Sequence, residues 1–159
     1  MAAGARGGRQ DLRPRRPAGR PVGAPVTDSG RVLLDTCVVI DLEKIDLGPL
    51  GVVTAPAVSA VTIGELAYSI DITDPVERMV RAERYQGALN QFEVLPFDVT
   101  AVKLYGVLAA LVRQSGRDPR PRRMDLQIVA TAAAHSIPIV TRNGKDFAGI
   151  ERAVRIVEV

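Results

Sequence analysis

One cysteine and one histidine in 159 residues remove two large classes of chemistry. Cys37 has no second cysteine to pair with, so no internal disulfide staples the chain. Zinc sites of the His/Cys kind need three or four such ligands, and the chain does not carry them. A Ser-His-Asp triad could still draw on His135, but no Gly-x-Ser-x-Gly elbow presents the serine. No apolar stretch approaches the ~20 residues that span a bilayer, and none near the start has the apolar core of a signal peptide. These absences point to the reducing cytoplasm, away from any membrane. No internal repeat is visible.

What is present suits one soluble globular domain. The chain is 47% apolar and 25% charged, and it is long enough to bury an ordinary core. Its net charge of +3 misleads unless it is divided. Residues 1–30 carry six Arg against Asp11 and Asp28, so the remaining 129 residues are nearly neutral. That first segment is rich in Gly, Ala, Pro and Arg and has few aliphatic residues. It cannot repay the entropy of ordering and is expected to be a disordered tail, more a solvated extension than an RNA-binding arm. Domain-like patterning begins only at Arg31, which raises a translation start downstream of Met1, testable by N-terminal sequencing.

From Arg31 onward, strand and helix patterns alternate. Arg31-Val-Leu-Leu-Asp35 is a short aliphatic run suited to a strand buried on both faces. A helix is expected over 38–43, a weak strand over 58–61 and a helix over 62–70. Asp74 followed by Pro75 reads as an N-cap with proline at the first helical position, opening a helix to about Gln91. A strand over 93–97 leads to Asp98, which caps a helix over 99–113. A Pro/Gly/Arg loop over 116–122 precedes an alanine-rich helix over 125–134, a strand over 137–141 and a closing strand over 154–158. This alternation predicts an α/β fold with a mostly parallel sheet flanked by helices.

In such sheets, ligands bind beyond the carboxyl ends of the strands, near a switch in strand order. Asp35 and Thr141 fall at such ends, while Glu65 and Asp125 fall near helix beginnings that face the same rim. Asp146 follows in Asn143-Gly-Lys-Asp-Phe. Acids gathered together repel, and burial raises their cost, so a pocket of these four calls for a bound cation. Mg²⁺ or Mn²⁺ beside phosphate is the chemistry of phosphodiester cleavage.

Each residue also has a plainer explanation. Asp35 suits an N-cap, Thr62-x-x-Glu65 matches a capping box, and Asp146 fits ordinary loop polarity. Asp125 is harder to explain away, because it shares a helix face with Ile128, Val129 and Ala132. Asp98 reads as a cap, and His135 as a helix C-terminal residue suited to the dipole. The cluster Arg113, Arg117, Arg120, Arg122 and Arg123 suits either a solvated loop or phosphate contacts.

Together these segments resemble the PIN-domain ribonucleases, in particular the VapC-type toxins of bacterial toxin–antitoxin pairs. Four pieces carry the resemblance: Val32-Leu-Leu-Asp35-Thr36-Cys37-Val-Val-Ile-Asp41, Ser59-Ala-Val-Thr62-Ile-Gly-Glu65-Leu66, Asp125-Leu-Gln-Ile-Val-Ala-Thr-Ala-Ala, and Ile139-Val-Thr141-Arg-Asn143-Gly-Lys-Asp146-Phe147. Val129 replaces an alanine of the third pattern, and the loop before Asp125 is unusually basic. The resemblance spans about 31–159 and implies a single PIN-like domain with about five parallel strands.

It also implies a metal-dependent endoribonuclease in which Asp35 and Asp125 hold Mg²⁺, or Mn²⁺, and Glu65 and Asp146 ligate or position metal-bound water. Thr36, Thr141 and Asn143 would tether carboxylates or phosphate, and Arg120, Arg122 and Arg123 would touch the RNA backbone. A cognate antitoxin and a homodimer are the implied partners. Two other classes stand beside this: a catalytically inactive RNA- or protein-binding module, and a phosphoacceptor receiver using Asp98 with Lys145. The receiver lacks the adjacent acids expected after its first strand.

Overall fold

Five parallel strands form one sheet in the order β3-β2-β1-β4-β5. They are β1 (Arg31–Leu34), β2 (Ala55–Ser59), β3 (Glu93–Leu95), β4 (Ile139–Thr141) and β5 (Ile156–Glu158). The helices are α1 (Thr36–Ile40), α2 (Ala60–Tyr68), α3 (Pro75–Gln91), α4 (Val99–Gln114) and α5 (Arg123–Ala134). The structure is a computed structural model that describes residues 30–46 and 55–159, so the expected N-terminal tail lies outside the described residues. Among the described residues, no helix is long and apolar enough to cross a membrane.

The pleat divides the core. Successive side chains on a strand point to opposite faces, so Leu33 packs with α4 and α5, around Leu108, Val112, Leu126, Ile128 and Phe147. Val32 and Leu34 turn the other way and pack with α1, α2 and α3, against Val38, Leu66 and Ala88. A strand buried on both faces reads as an unbroken aliphatic run, which is why Val32-Leu33-Leu34 shows no alternation.

Local chemistry sets the element ends. Asp74 accepts hydrogen bonds from the Val76 and Glu77 N–H groups at 2.9 and 3.3 Å, with Pro75 opening α3. Asp98 accepts from the Ala101 N–H at 2.9 Å and caps α4, the structural role expected of it. The strand expected over 58–61 ends instead at Ser59, whose hydroxyl caps α2 by accepting from the Val61 N–H at 3.1 Å. Thr62 therefore sits inside α2, fully buried, and the capping-box explanation of Glu65 fails. Helices α4 and α5 close alike. The N–H groups of Arg117 and Ile137 bond back to Val112 and Ala132, with Gly116 and Ser136 in the left-handed conformation. His135 is the C-cap of α5, as its position implied.

The chain moves outward from β1 to β2 to β3, then returns through α4 and α5 to place β4 on the other side of β1. Strand order thus reverses between β1 and β4, where the two carboxyl ends diverge and leave a crevice.

Candidate active site at the reversal of strand order

Register brings the two sides of the crevice together. Leu34 lies opposite Val140, so the next residues, Asp35 and Thr141, meet just past the sheet. The Thr141 hydroxyl donates to Asp35 Oδ2 at 2.7 Å. Oδ1 accepts from the Thr36 N–H at 2.8 Å, so Asp35 caps α1 as well. The Cys37 thiol also donates to Oδ2, at 3.2 Å. A carboxylate offers about four lone-pair sites, and three donors leave Asp35 little rotational freedom but one open direction. It is buried, at 8% exposure.

Each threonine and asparagine expected to tether an acid has its own acid. Thr36 donates its hydroxyl to Glu65 Oε2 at 2.5 Å, linking the first turn of α1 to the middle of α2. The side-chain amide of Asn143 donates to Asp146 Oδ2, three residues later in the turn over Gly144–Phe147. Thr141 holds Asp35, and its oxygen also accepts the Asn143 N–H at 3.2 Å, which joins the two tethers.

Asp125 completes the group from the first turn of α5. Its carboxyl is pushed up to about 6 from an ordinary 3.8, first by burial, then by the charges of Asp35, Glu65 and Asp146, against a smaller opposing pull from Arg122. The charges of the other three predicted acids therefore all reach Asp125. Unlike the other three, Asp125 has no side-chain hydrogen bond among the described residues. Its seat comes from the helix beneath it: Leu126, Ile128 and Val129 are buried, and the buried Ser59 hydroxyl meets Thr131 at 3.1 Å across the β2–α5 packing.

The arginines divide. Arg122 forms an ion pair with Asp146 Oδ1 inside the crevice. Arg117 ties the basic loop to the carbonyls of Lys145 and Ala148, each at 3.3 Å. Arg120 and Arg123 extend into solvent. Sequence reasoning missed the part played by Cys37, whose thiol is raised above its ordinary 9.0, chiefly by burial and also by the nearby Asp35 charge. Its place two residues after Asp35, at the start of a helix, was the available signal.

Among the described residues, no three His, Cys, Asp or Glu side chains stand close enough to form a ready-made metal cage. The donor set nonetheless fits a hard divalent cation. All four donors are carboxylates, and their mutual repulsion at Asp125 is only partly offset by one guanidinium.

A five-stranded parallel α/β domain with acids gathered at its strand reversal defines a class, and comparison with known proteins narrows it. Residues 32–153 match the PIN domain, and the chain belongs to the PIN-domain family. It is 30% identical over 127 residues to "Ribonuclease VapC5" of Mycobacterium tuberculosis, covering 78% of this chain and 90% of that protein. Among solved structures, it is similar to VapBC-5, a member of the VapBC family of toxin–antitoxin systems from the same organism. There the TM-score is 0.70 at 28% identity, covering 82% of this chain and 99% of the other. It is also similar to FitAcB from Neisseria gonorrhoeae, with a TM-score of 0.62 at 25% identity, covering 80% and 96%.

Proposed function

We propose that this protein is a Mg²⁺-dependent endoribonuclease, with Mn²⁺ able to substitute, acting as the toxin of a toxin–antitoxin pair. The convergence of Asp35, Glu65, Asp125 and Asp146 carries this proposal: burial first, and then the charges of the other three acids, push the Asp125 carboxyl up to about 6. Asp35 and Asp125 would hold the ion directly, with Glu65 and Asp146 completing the donor set or orienting its water. The ion, when bound, lowers the pKa of attacking water and offsets charge on the phosphate oxygens. The chain's own residues do the rest. Thr141, Thr36 and the thiol of Cys37 fix the Asp35 carboxylate, Thr36 also fixes Glu65, and Asn143 fixes Asp146. Such outer contacts keep ligand oxygens aimed without moving during the reaction.

Arg120 and Arg123, both exposed, would meet the RNA backbone, and Arg122 would join them once it leaves Asp146. The similarity to VapC5 and to VapBC-5, a member of a family of toxin–antitoxin systems, supports a cognate antitoxin as partner. We extend the proposal to a homodimer as the working unit and to action in the cytoplasm, where a single free cysteine is at home.

Purified protein without antitoxin is expected to cut RNA in Mg²⁺ and to stop when the ion is chelated. Asp35→Asn and Asp125→Asn are expected to abolish cutting. Cleavage by both variants at the wild-type rate would refute the assignment.

A further inference from the structure

We infer that Arg122 is the resident counter-ion of the acidic pocket, which a divalent cation must displace from Asp146 in order to bind fully. This rests on the metal-dependent reading above.

The local geometry makes the role specific. Arg122 ends the short 3-10 turn at Arg120–Arg122, immediately before α5, and Asp125 lies in the first turn of that helix. One stretch of backbone therefore carries both a metal-site acid and a cation. The guanidinium turns inward and pairs with Asp146 Oδ1, and both side chains are mostly shielded, at 30% and 26% exposure. Among the described residues, the charge of Arg122 opposes those of the three acids at Asp125.

The contact is also built to be given up. It is made through one nitrogen, Nη1, which sits buried without a well-directed hydrogen bond, so the two-pronged carboxylate grip open to arginine is not used. The Asp146 oxygen it occupies is one that a cation would also seek, since Oδ2 is already taken by the Asn143 amide. Two positive groups cannot share that oxygen cheaply. Arg122 thus lowers the repulsion among the acids when no ion is bound, and raises the cation concentration at which the pocket fills.

Isothermal titration with Mn²⁺ on the full chain tests this. Arg122→Gln is expected to bind Mn²⁺ roughly 3- to 10-fold tighter than wild type, the scale of one partly shielded ion pair. Arg122→Lys, which keeps the charge, should stay near wild type. In an Asp146→Asn background, Arg122→Gln should change affinity by less than about twofold. A folded Arg122→Gln protein that binds Mn²⁺ equally or more weakly overturns the inference.

Should that variant fail to fold, wild-type protein provides a second readout. The Arg122 Nε–H resonance should shift and exchange faster with solvent as Mg²⁺ is added, and a signal unchanged through saturation overturns the proposal. Wild-type protein that takes up neither ion would instead sink the metal reading itself, and this inference with it.

Discussion

Asp35 and Asp125 face each other across the same crevice and are held there by opposite means. Asp35 is gripped by its side chain: one backbone N–H, one hydroxyl and one thiol converge on its two oxygens. Asp125 is gripped by its backbone, on a helix with six buried residues, and its carboxylate meets burial and the charges of three acids with only a smaller pull from Arg122 in its favour. The first acid is held in place by hydrogen-bond donors from α1 and β4. The second is forced into a place it would leave if the helix allowed. A site can therefore be assembled from one residue the fold favours and one the fold merely tolerates, with the strain stored where it is most useful to an incoming cation.

Exchanging each acid for its amide breaks the comparison most directly. Both Asp35→Asn and Asp125→Asn should lower RNA cleavage by more than about 100-fold, beyond the loss expected for an outer contact. Their effects on stability should have opposite signs. Asp35→Asn removes the charge that three donors were arranged to meet and should cost about 1–3 kcal/mol. Asp125→Asn relieves a burial that Arg122 only partly compensates and should stabilise the metal-free protein. Urea denaturation in the presence of a chelator distinguishes them, and loss of stability in both would remove the contrast.

The gain at Asp125 must also depend on pH, in a direction fixed by linkage. The native carboxyl titrates near 6 against an ordinary 3.8, so between these values the native state holds more protons than the unfolded chain. Stability then falls as pH rises through that window. The penalty is absent below about pH 4 and complete above about pH 7. With solvent screening at a partly exposed group, it amounts to about 1–2 kcal/mol. The stability difference between Asp125→Asn and wild type should therefore open between pH 4 and pH 7, and a difference independent of pH would contradict it.

The contrast explains why one half of the site was easier to read than the other. Asp125 was legible because a carboxylate on the face of Ile128, Val129 and Ala132 violates helix patterning, and such violations mark function. Asp35 violates nothing, since an acid after a strand is also a good cap, and in the structure it caps α1. Glu65 could not be settled locally. Thr62 and Glu65 have capping-box spacing, and only the burial of Thr62 and the cap at Ser59 show where α2 begins.

The fold was legible for a simpler reason. Strands buried on both faces and helices with one apolar stripe leave different periodicities, and their alternation specifies a parallel sheet. Strand order was not legible from periodicity, because it depends on which edge α4 and α5 return to. Arg122 shows the same limit. Its composition announced a basic loop, while its turn inward to Asp146 depends on contacts from the far end of the chain.

A finer test asks how much each tether of Asp35 contributes. Thr141→Val keeps the shape of a fully buried side chain but removes the donor to Oδ2 and the acceptor for Asn143. It should cost about 1–2 kcal/mol and weaken Mn²⁺ binding by about 10- to 100-fold. Unchanged Mn²⁺ affinity would mean that Cys37 and Thr36 suffice.

The smallest effect is expected at Cys37, where the question is how a thiol behaves when its neighbour is a carboxylate. A thiolate there would face the Asp35 charge at hydrogen-bond distance, so the group stays protonated and donates. Only the backbone N–H of Arg142, at 3.5 Å, and the Thr141 hydroxyl, at 3.6 Å, favour the anion. Because the thiolate is the nucleophile, iodoacetamide at pH 8 should modify Cys37 roughly tenfold more slowly than an exposed thiol. Asp35→Asn should restore only a few-fold of that rate, since burial is the larger cause and the charge the lesser. Mass spectrometry across a time course measures both. Full recovery in Asp35→Asn would reverse that order, making Asp35 the principal guard of the thiol as well as its acceptor.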